Sequence, residues 1–186
     1  CALPISRHIF GSMIHVFNLV VSCALPFLAV SFVSLPVPQR HNTQFVLRRQ
    51  HIRPNRHVVR AQIPVSPAER SLSVNLDPNF YGSFAEIGAG QEVSRYFLRA
   101  GAAAGTVARS VSAYDMKVSD RMYGTASRYV TKERMLQMLQ QEYDDCEETL
   151  RAIKGPDCRF FSYASTIAAK AYMSDRECEA YLGIMY

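Results

Sequence analysis

The chain has 186 residues, with 21 Lys+Arg against 16 Asp+Glu and a formal charge of +5. That charge is divided unevenly: residues 1–68 hold seven Arg, no Lys, no acidic residue and all five His, whereas residues 69–186 hold 14 Lys+Arg, 16 Asp+Glu and no His. A segment without His excludes Ser–His and Cys–His nucleophile pairs, and its slightly negative balance argues against nucleic acid as its main partner.

Residues 1–12 precede Met13 and read as upstream or untranslated sequence. Residues 13–31 have the layout of a signal peptide. An apolar run from Val16 to Leu28 is broken only by Asn18 and Ser22, and Ala29-Val30-Ser31 offers small residues before a cut, with Phe32 following. The alternative is a membrane anchor over residues 14–33, about 18 residues and thus at the lower edge of a bilayer span. Asn18 and Pro26 weaken that alternative, since an interior Pro costs a helix roughly 3 kcal/mol. Residues 32–68 are rich in Arg, Ser, Gln, Asn and Pro and free of acid, the composition of a transit peptide. A basic arm for phosphate is the other reading of clustered Arg. Together the two segments, with Phe32 after the cut, resemble the bipartite leader of plastid proteins in algae with red-derived complex plastids. The resemblance implies a plastid stromal location; the alternative is secretion or membrane anchoring.

Past the leader lie Cys146, Cys158 and Cys178, spaced as neither a paired disulfide framework nor a CxxC metal site. Free thiols suit a reducing compartment. Residues 69–186 suffice for one small core and carry all ten Tyr. Asn75 to Phe84 reads as loop, because Asp77-Pro78-Asn79 and Gly82-Ser83 are turn signals. Ala85 to Ala89 is short and apolar around Glu86. In Gln91 to Ala100, Val93, Tyr96, Phe97 and Ala100 share a helical face, and Gly101 is a natural stop. Ala102 to Ser112 is expected to form a second helix, weakened at Gly105 by roughly 1 kcal/mol relative to Ala.

The strongest element is a helix over Lys132–Lys154. Thr131 is a good N-cap, with Val130 placed to staple onto Met135. Met135, Met138, Leu139, Tyr143, Cys146, Leu150 and Ile153 form its apolar stripe, and Gly155-Pro156 ends it. The stripe reads as core, and the acidic residues beside it as a solvated face. Arg159 to Ala169 and Glu179 to Tyr186 read as strands joined by a loop through Tyr172 to Cys178. The expected fold is one α/β (or α+β) domain of several helices plus a short sheet, with further fold expected beyond Tyr186.

The best candidate for chemistry is Glu86-Ile87-Gly88-Ala89-Gly90 with Gln91 behind it. Two glycines between an apolar segment and a helix let a ligand approach the backbone, and the helix N-terminus suits a phosphate or carboxylate. In this reading Gly88, Gly90 and the amides after them, Gln91 among them, contact the anion, while Glu86 and Asp115 hold polar groups or a hydrated Mg²⁺. The motif also resembles the first motif of S-adenosylmethionine-dependent methyltransferases, E-x-G-x-G. That resemblance implies turning at Gly88 and Gly90 under the methionine moiety and ribose hydroxyls on Asp115, as a carboxylate after a second strand would hold them. The competing explanations are helix packing for the glycines and helix caps for Asp115, Asp120 and Glu92. A Walker-type Gly-Lys-Ser/Thr is absent from the sequence. The ligand classes in view are therefore a nucleotide, S-adenosylmethionine or Mg²⁺. Neither a membrane nor nucleic acid is expected for the mature domain, and a non-catalytic scaffold is the reading from another class.

Residues 80–186 resemble the N-terminal part of a longer, mostly bacterial family without established function. The resemblance is carried by Phe80 to Val93, Ala100-Gly101, Gly105-Thr106, Ser112-Ala113-Tyr114-Asp115, Ser119-Asp120 and Arg128-Tyr129-Val130. It continues through Phe160-Phe161, Thr166 to Ala169, Cys178 and Gly183. Members often bear the labels nicotinate-nucleotide adenylyltransferase or TonB-dependent receptor. The domain has no His for the phosphate motif of the first, and the chain is far too short for the barrel of the second. Where the family tends to read Cys-His-Gly, this chain has Cys178-Glu179-Ala180.

Overall fold

The computed structural model describes residues 66–173, 175 and 177–186, together with the backbone of two strands nearer the N-terminus. Those strands are β1, Ala29–Leu35, and β2, Phe45–Leu47. Then follow α1 (Pro67–Asn75), β3 (Phe80–Gly88), α2 (Val93–Ala100), a 3₁₀ turn at Ala103–Gly105, β4 (Val107–Ala113) and α3 (Met116–Tyr123). The long helix α4 (Lys132–Lys154), β5 (Arg159–Ala168) and β6 (Glu179–Met185) complete the order. The expected cut after Ser31 falls within β1, and the apolar run of residues 16–28 lies outside the described residues.

The strands form one mixed sheet in the order β2-β1-β6-β5-β3-β4. β3 is parallel to β4 on one side and to β5 on the other, with Phe80 opposite Arg159 and Gly88 opposite Ile167. β6 runs antiparallel to β5, and β1 is parallel to β6 from Ala29↔Glu179 to Leu35↔Met185. Alternate residues of the central strands feed two cores, as the period of two demands. Phe84, Phe161, Tyr163 and Ile184 pack with Val74, Val93 and Phe97 under α1 and α2. Ala85, Ile87, Phe160 and Ala164 pack with Tyr123, Met135, Met138 and Leu139 under α3 and α4. The result is helix–sheet–helix layering, an α/β fold in which β3 and β5 are buried along almost their whole length.

Helix α4 has the bounds its sequence predicts. Thr131 accepts from the Arg134 amide, and Gly155 closes the helix at φ +84°. Its stripe is buried from Met135 to Cys146 but runs out toward the C-terminus, where Ile153 is 75% exposed. Three other expectations need correction. Phe80–Phe84 is strand, not loop. Gly82 is there because a Cβ would lie 2.0 Å from the Phe161 carbonyl oxygen and 2.7 Å from its ring. Residues 107–112 are strand, not helix: β4 is a small-residue edge strand whose conformation comes from pairing with β3. Finally, α1 begins before Glu69. Ser66 and Glu69 form a reciprocal capping box around Pro67, so the helix straddles the boundary drawn at residue 69. Among the described residues no helix is long and apolar enough to cross a membrane.

Candidate functional site

The chain leaves β3 through α2 to β4 on one side, then returns past α3 and α4 to β5 on the other. This makes the carboxyl end of β3 a topological switch point, where open α/β sheets leave a crevice. A pocket of about 200 Å³ lies at that end. Its walls are Ile87 and Gly88 from β3, Tyr114, Asp115 and Met116 after β4, and Ser119 of α3. Tyr129 and Val130 ahead of α4, and Thr166, Ile167, Ala168 and Ala169 at the end of β5, complete it. The volume is below the roughly 300–1,000 Å³ common for ligand sites, so it suits one small moiety rather than a dinucleotide.

Gly88 sits at φ +87°, and a Cβ there would lie 2.1 Å from the Ile167 carbonyl oxygen. The Ala89 amide donates to that same carbonyl at 3.0 Å. Parallel pairing with β5 therefore fixes the turn and leaves bare backbone at the pocket wall. Asp115 is the N-cap of α3; its Oδ1 accepts from the Lys117 amide at 2.8 Å and the Val118 amide at 3.2 Å. Its Oδ2 has no hydrogen bond among the described residues, and the side chain is exposed.

The other expected site residues go elsewhere. Glu86 is 2% exposed and points at the start of α2, not into the pocket. Its Oε1 accepts from the Val93 amide at 2.8 Å and its Oε2 from the Ser94 amide at 3.1 Å and the Ser94 hydroxyl. Burial pushes its carboxyl above the ordinary value, against the opposing pull of these donors. The helix end assigned to a ligand anion is thus filled by the chain's own carboxylate. Gly90 packs on Ile167, whose Cδ1 would lie 2.1 Å from a Cβ at that position. Gln91 turns back to donate to the Gly88 carbonyl at 3.1 Å. Glu86 and Asp115 do not meet, and among the described residues no group of three His, Cys, Asp or Glu could hold a metal ion.

The pocket walls are tied together. Thr166 donates to the Tyr129 carbonyl at 2.8 Å, and the Tyr129 hydroxyl donates to Asp120 at 2.7 Å. That bond to Asp120 raises the phenol's pKa. Behind them Arg134, 2% exposed, donates to the Tyr123, Gly124 and Ser119 carbonyls at the end of α3. Its guanidinium carbon lies 5.5 Å from the Tyr123 ring centre and 5.7 Å from that of Tyr129. Tyr129, Ser119 and Thr166 were not expected site residues. The chain between β4 and α4 places Ser119 and Tyr129 there, and the crossover through α4 brings Thr166 of β5 beside Gly88.

Fold and site define an open α/β domain with a small pocket at the switch point of its central strand. No family model, curated protein or solved structure matches the chain.

Proposed function

We propose that the domain binds a small molecule bearing a ribose, with Gly88 against the ligand's backbone-facing edge and Asp115 on its hydroxyls. The observation that carries this is the convergence of a bare glycine turn and a carboxylate from two adjacent parallel strands on one pocket. A carboxylate with a free oxygen, one strand over from a glycine turn, suits a vicinal diol. Met116, Ile87 and Val130 supply apolar contact for a base. Every lining residue except Met116 falls in the stretches through which the chain resembles the bacterial family. S-adenosylmethionine, the ligand implied by the E-x-G-x-G resemblance, carries such a ribose; only that part would be enclosed in about 200 Å³, with its other arms outside the pocket, and a methyltransferase-like activity is the first to assay. A phosphate seated on the amides of α2, the other reading of the glycines, is disfavoured because Glu86 already accepts from them.

The test is calorimetric titration of adenosine and S-adenosylmethionine into the full chain and into Asp115→Asn. Asn is also a good N-cap, so α3 is retained. Saturable binding that weakens in the variant supports the reading. No binding of either ligand refutes it and favours a scaffold protein.

A further inference from the structure

We infer that this pocket discriminates by charge, taking neutral or cationic ligands and rejecting phosphate. The inference rests on the ribose reading for its ligand but on separate observations for its sign. Folds of this layout hold phosphates on helix N-termini at the carboxyl ends of strands. Here those termini are occupied from within. Glu86 holds the Val93 and Ser94 amides of α2. Asp115 holds the Lys117 and Val118 amides of α3. The Thr131 hydroxyl holds the Arg134 amide of α4.

Two of these three plugs are carboxylates, so the positive end of each of those helices is neutralised. No Lys, Arg or His is among the lining residues, and the one charged group there is Asp115. Arg134, the one buried cation among the described residues, lies behind the lining residues Ser119 and Tyr129; its terminal nitrogens are on carbonyls, Ser119 and Gln137, its Nε has no hydrogen-bond partner among the described residues, and it does not line the pocket. Lys117, Arg128 and Lys170 adjoin lining residues in sequence but are exposed, Arg128 being paired with Glu179, and solvated cations hold an anion weakly. A phosphate in the pocket would therefore meet a carboxylate and no cation on the wall, with Arg134 held off behind Ser119 and Tyr129.

Adenosine, 5′-amino-5′-deoxyadenosine and AMP share a base and ribose and differ in charge at one end. Titrated into the full chain, AMP should bind at least about tenfold more weakly than adenosine, tenfold being the bulk-water value for a nearly doubly charged phosphate about 6 Å from a carboxylate. The amine should bind at least as tightly as adenosine, and the ratio of AMP to adenosine affinity should rise in Asp115→Asn. In parallel, pyrophosphate should leave the backbone amide resonances of Gly88–Ser94 and Lys117 unmoved. AMP binding as tightly as adenosine, or pyrophosphate moving those resonances, overturns the inference. If no nucleoside binds while pyrophosphate stays inert, the ribose reading fails, and discrimination by charge is overturned unless a small amine such as ethanolamine binds where pyrophosphate does not.

Discussion

Replacing Gly88 and Gly90 singly by Ala separates what strand packing demands of this loop from what a ligand would demand. At Gly88 two penalties coincide. The φ of +87° places an L-residue where left-handed backbone costs about 1–2 kcal/mol. The new Cβ would also sit 2.1 Å from the Ile167 carbonyl oxygen, which belongs to backbone and cannot turn away. β3 and β5 must part there, weakening the 3.0 Å bond from the Ala89 amide, worth about 1 kcal/mol. The sum is about 2–3 kcal/mol, a large share of the roughly 5–15 kcal/mol a domain has. At about 4 °C per kcal/mol for a domain of this size, the melting temperature should fall by about 8–12 °C. At Gly90 the obstacle is the δ-methyl of Ile167, 2.1 Å from the new Cβ. That methyl can swing aside at an off-rotamer cost of about 0.5–1.5 kcal/mol. A gain of about 0.4–1 kcal/mol from a stiffer unfolded chain offsets part of it. Gly90→Ala should therefore stay within about 1 kcal/mol of the parent. Urea unfolding of both variants measures the difference. Equal losses at the two positions, or a Gly88→Ala loss below about 1 kcal/mol, would refute the packing argument.

Arg134→Leu should destabilise by about 2 kcal/mol, because the carbonyls of Ser119, Tyr123 and Gly124 lose a charged donor, although Tyr123 keeps the Gln137 amide. Lys at this position should not restore the loss, since it cannot reproduce the fork; thermal unfolding of both variants checks this. Glu86→Gln should alter the pH profile. Glu86 has its folded pKa raised above the ordinary 4.5 by burial, so its contribution is fully present below that value and declines as pH rises through the elevated one. Stability measured across that window should fall less steeply with pH in the Gln variant than in the parent, and identical slopes would count against the assignment. Tyr123→Phe removes the 2.7 Å hydrogen bond to Glu142, which is 1% exposed, and leaves that carboxylate to Arg109. A loss of about 1–2 kcal/mol in denaturant unfolding is expected.

Elements held by local signals were legible in the sequence. Helix α4 announces itself through the Thr131 cap, its stripe and Gly155, β5 through its run of Phe, Tyr, Ile and Thr, and β6 through its apolar run around Tyr181, Leu182 and Ile184. Elements held by neighbours were not. Gly82-Ser83 mimics a turn, yet Gly82 is where the Phe161 backbone and ring close on β3. Val107–Ala113 has the small residues of a helix and becomes a strand because β3 offers it a parallel edge. The Ser66–Glu69 capping box was hidden by the change of composition at the same place. Of the candidate residues, Gly88 and Asp115 do come together at the pocket; Gly88 carries local turn chemistry, whereas Asp115 enters through the E-x-G-x-G resemblance, the strand before it having the sequence of an expected helix. Glu86 carries the same motif but is directed at α2 by the pleat of β3, an orientation that becomes readable only once residues 80–84 are recognised as strand.

The placement of β3 between β4 and β5 also bears on the order of folding. One neighbour is near in sequence, reached through the eight residues of α2. The other is encoded beyond α3 and the 23 residues of α4. Non-local pairings of this kind are slow to form. Until β5 arrives, β3 exposes an unpaired edge flanked by Phe84 and Ile87, a surface on which chains aggregate. The same late strand brings Thr166 and Ile167 to the pocket, so pairing the second edge of β3 and raising that wall of the pocket are a single event. A nascent chain halted before Arg159 would carry both glycines and Asp115 and still lack that wall.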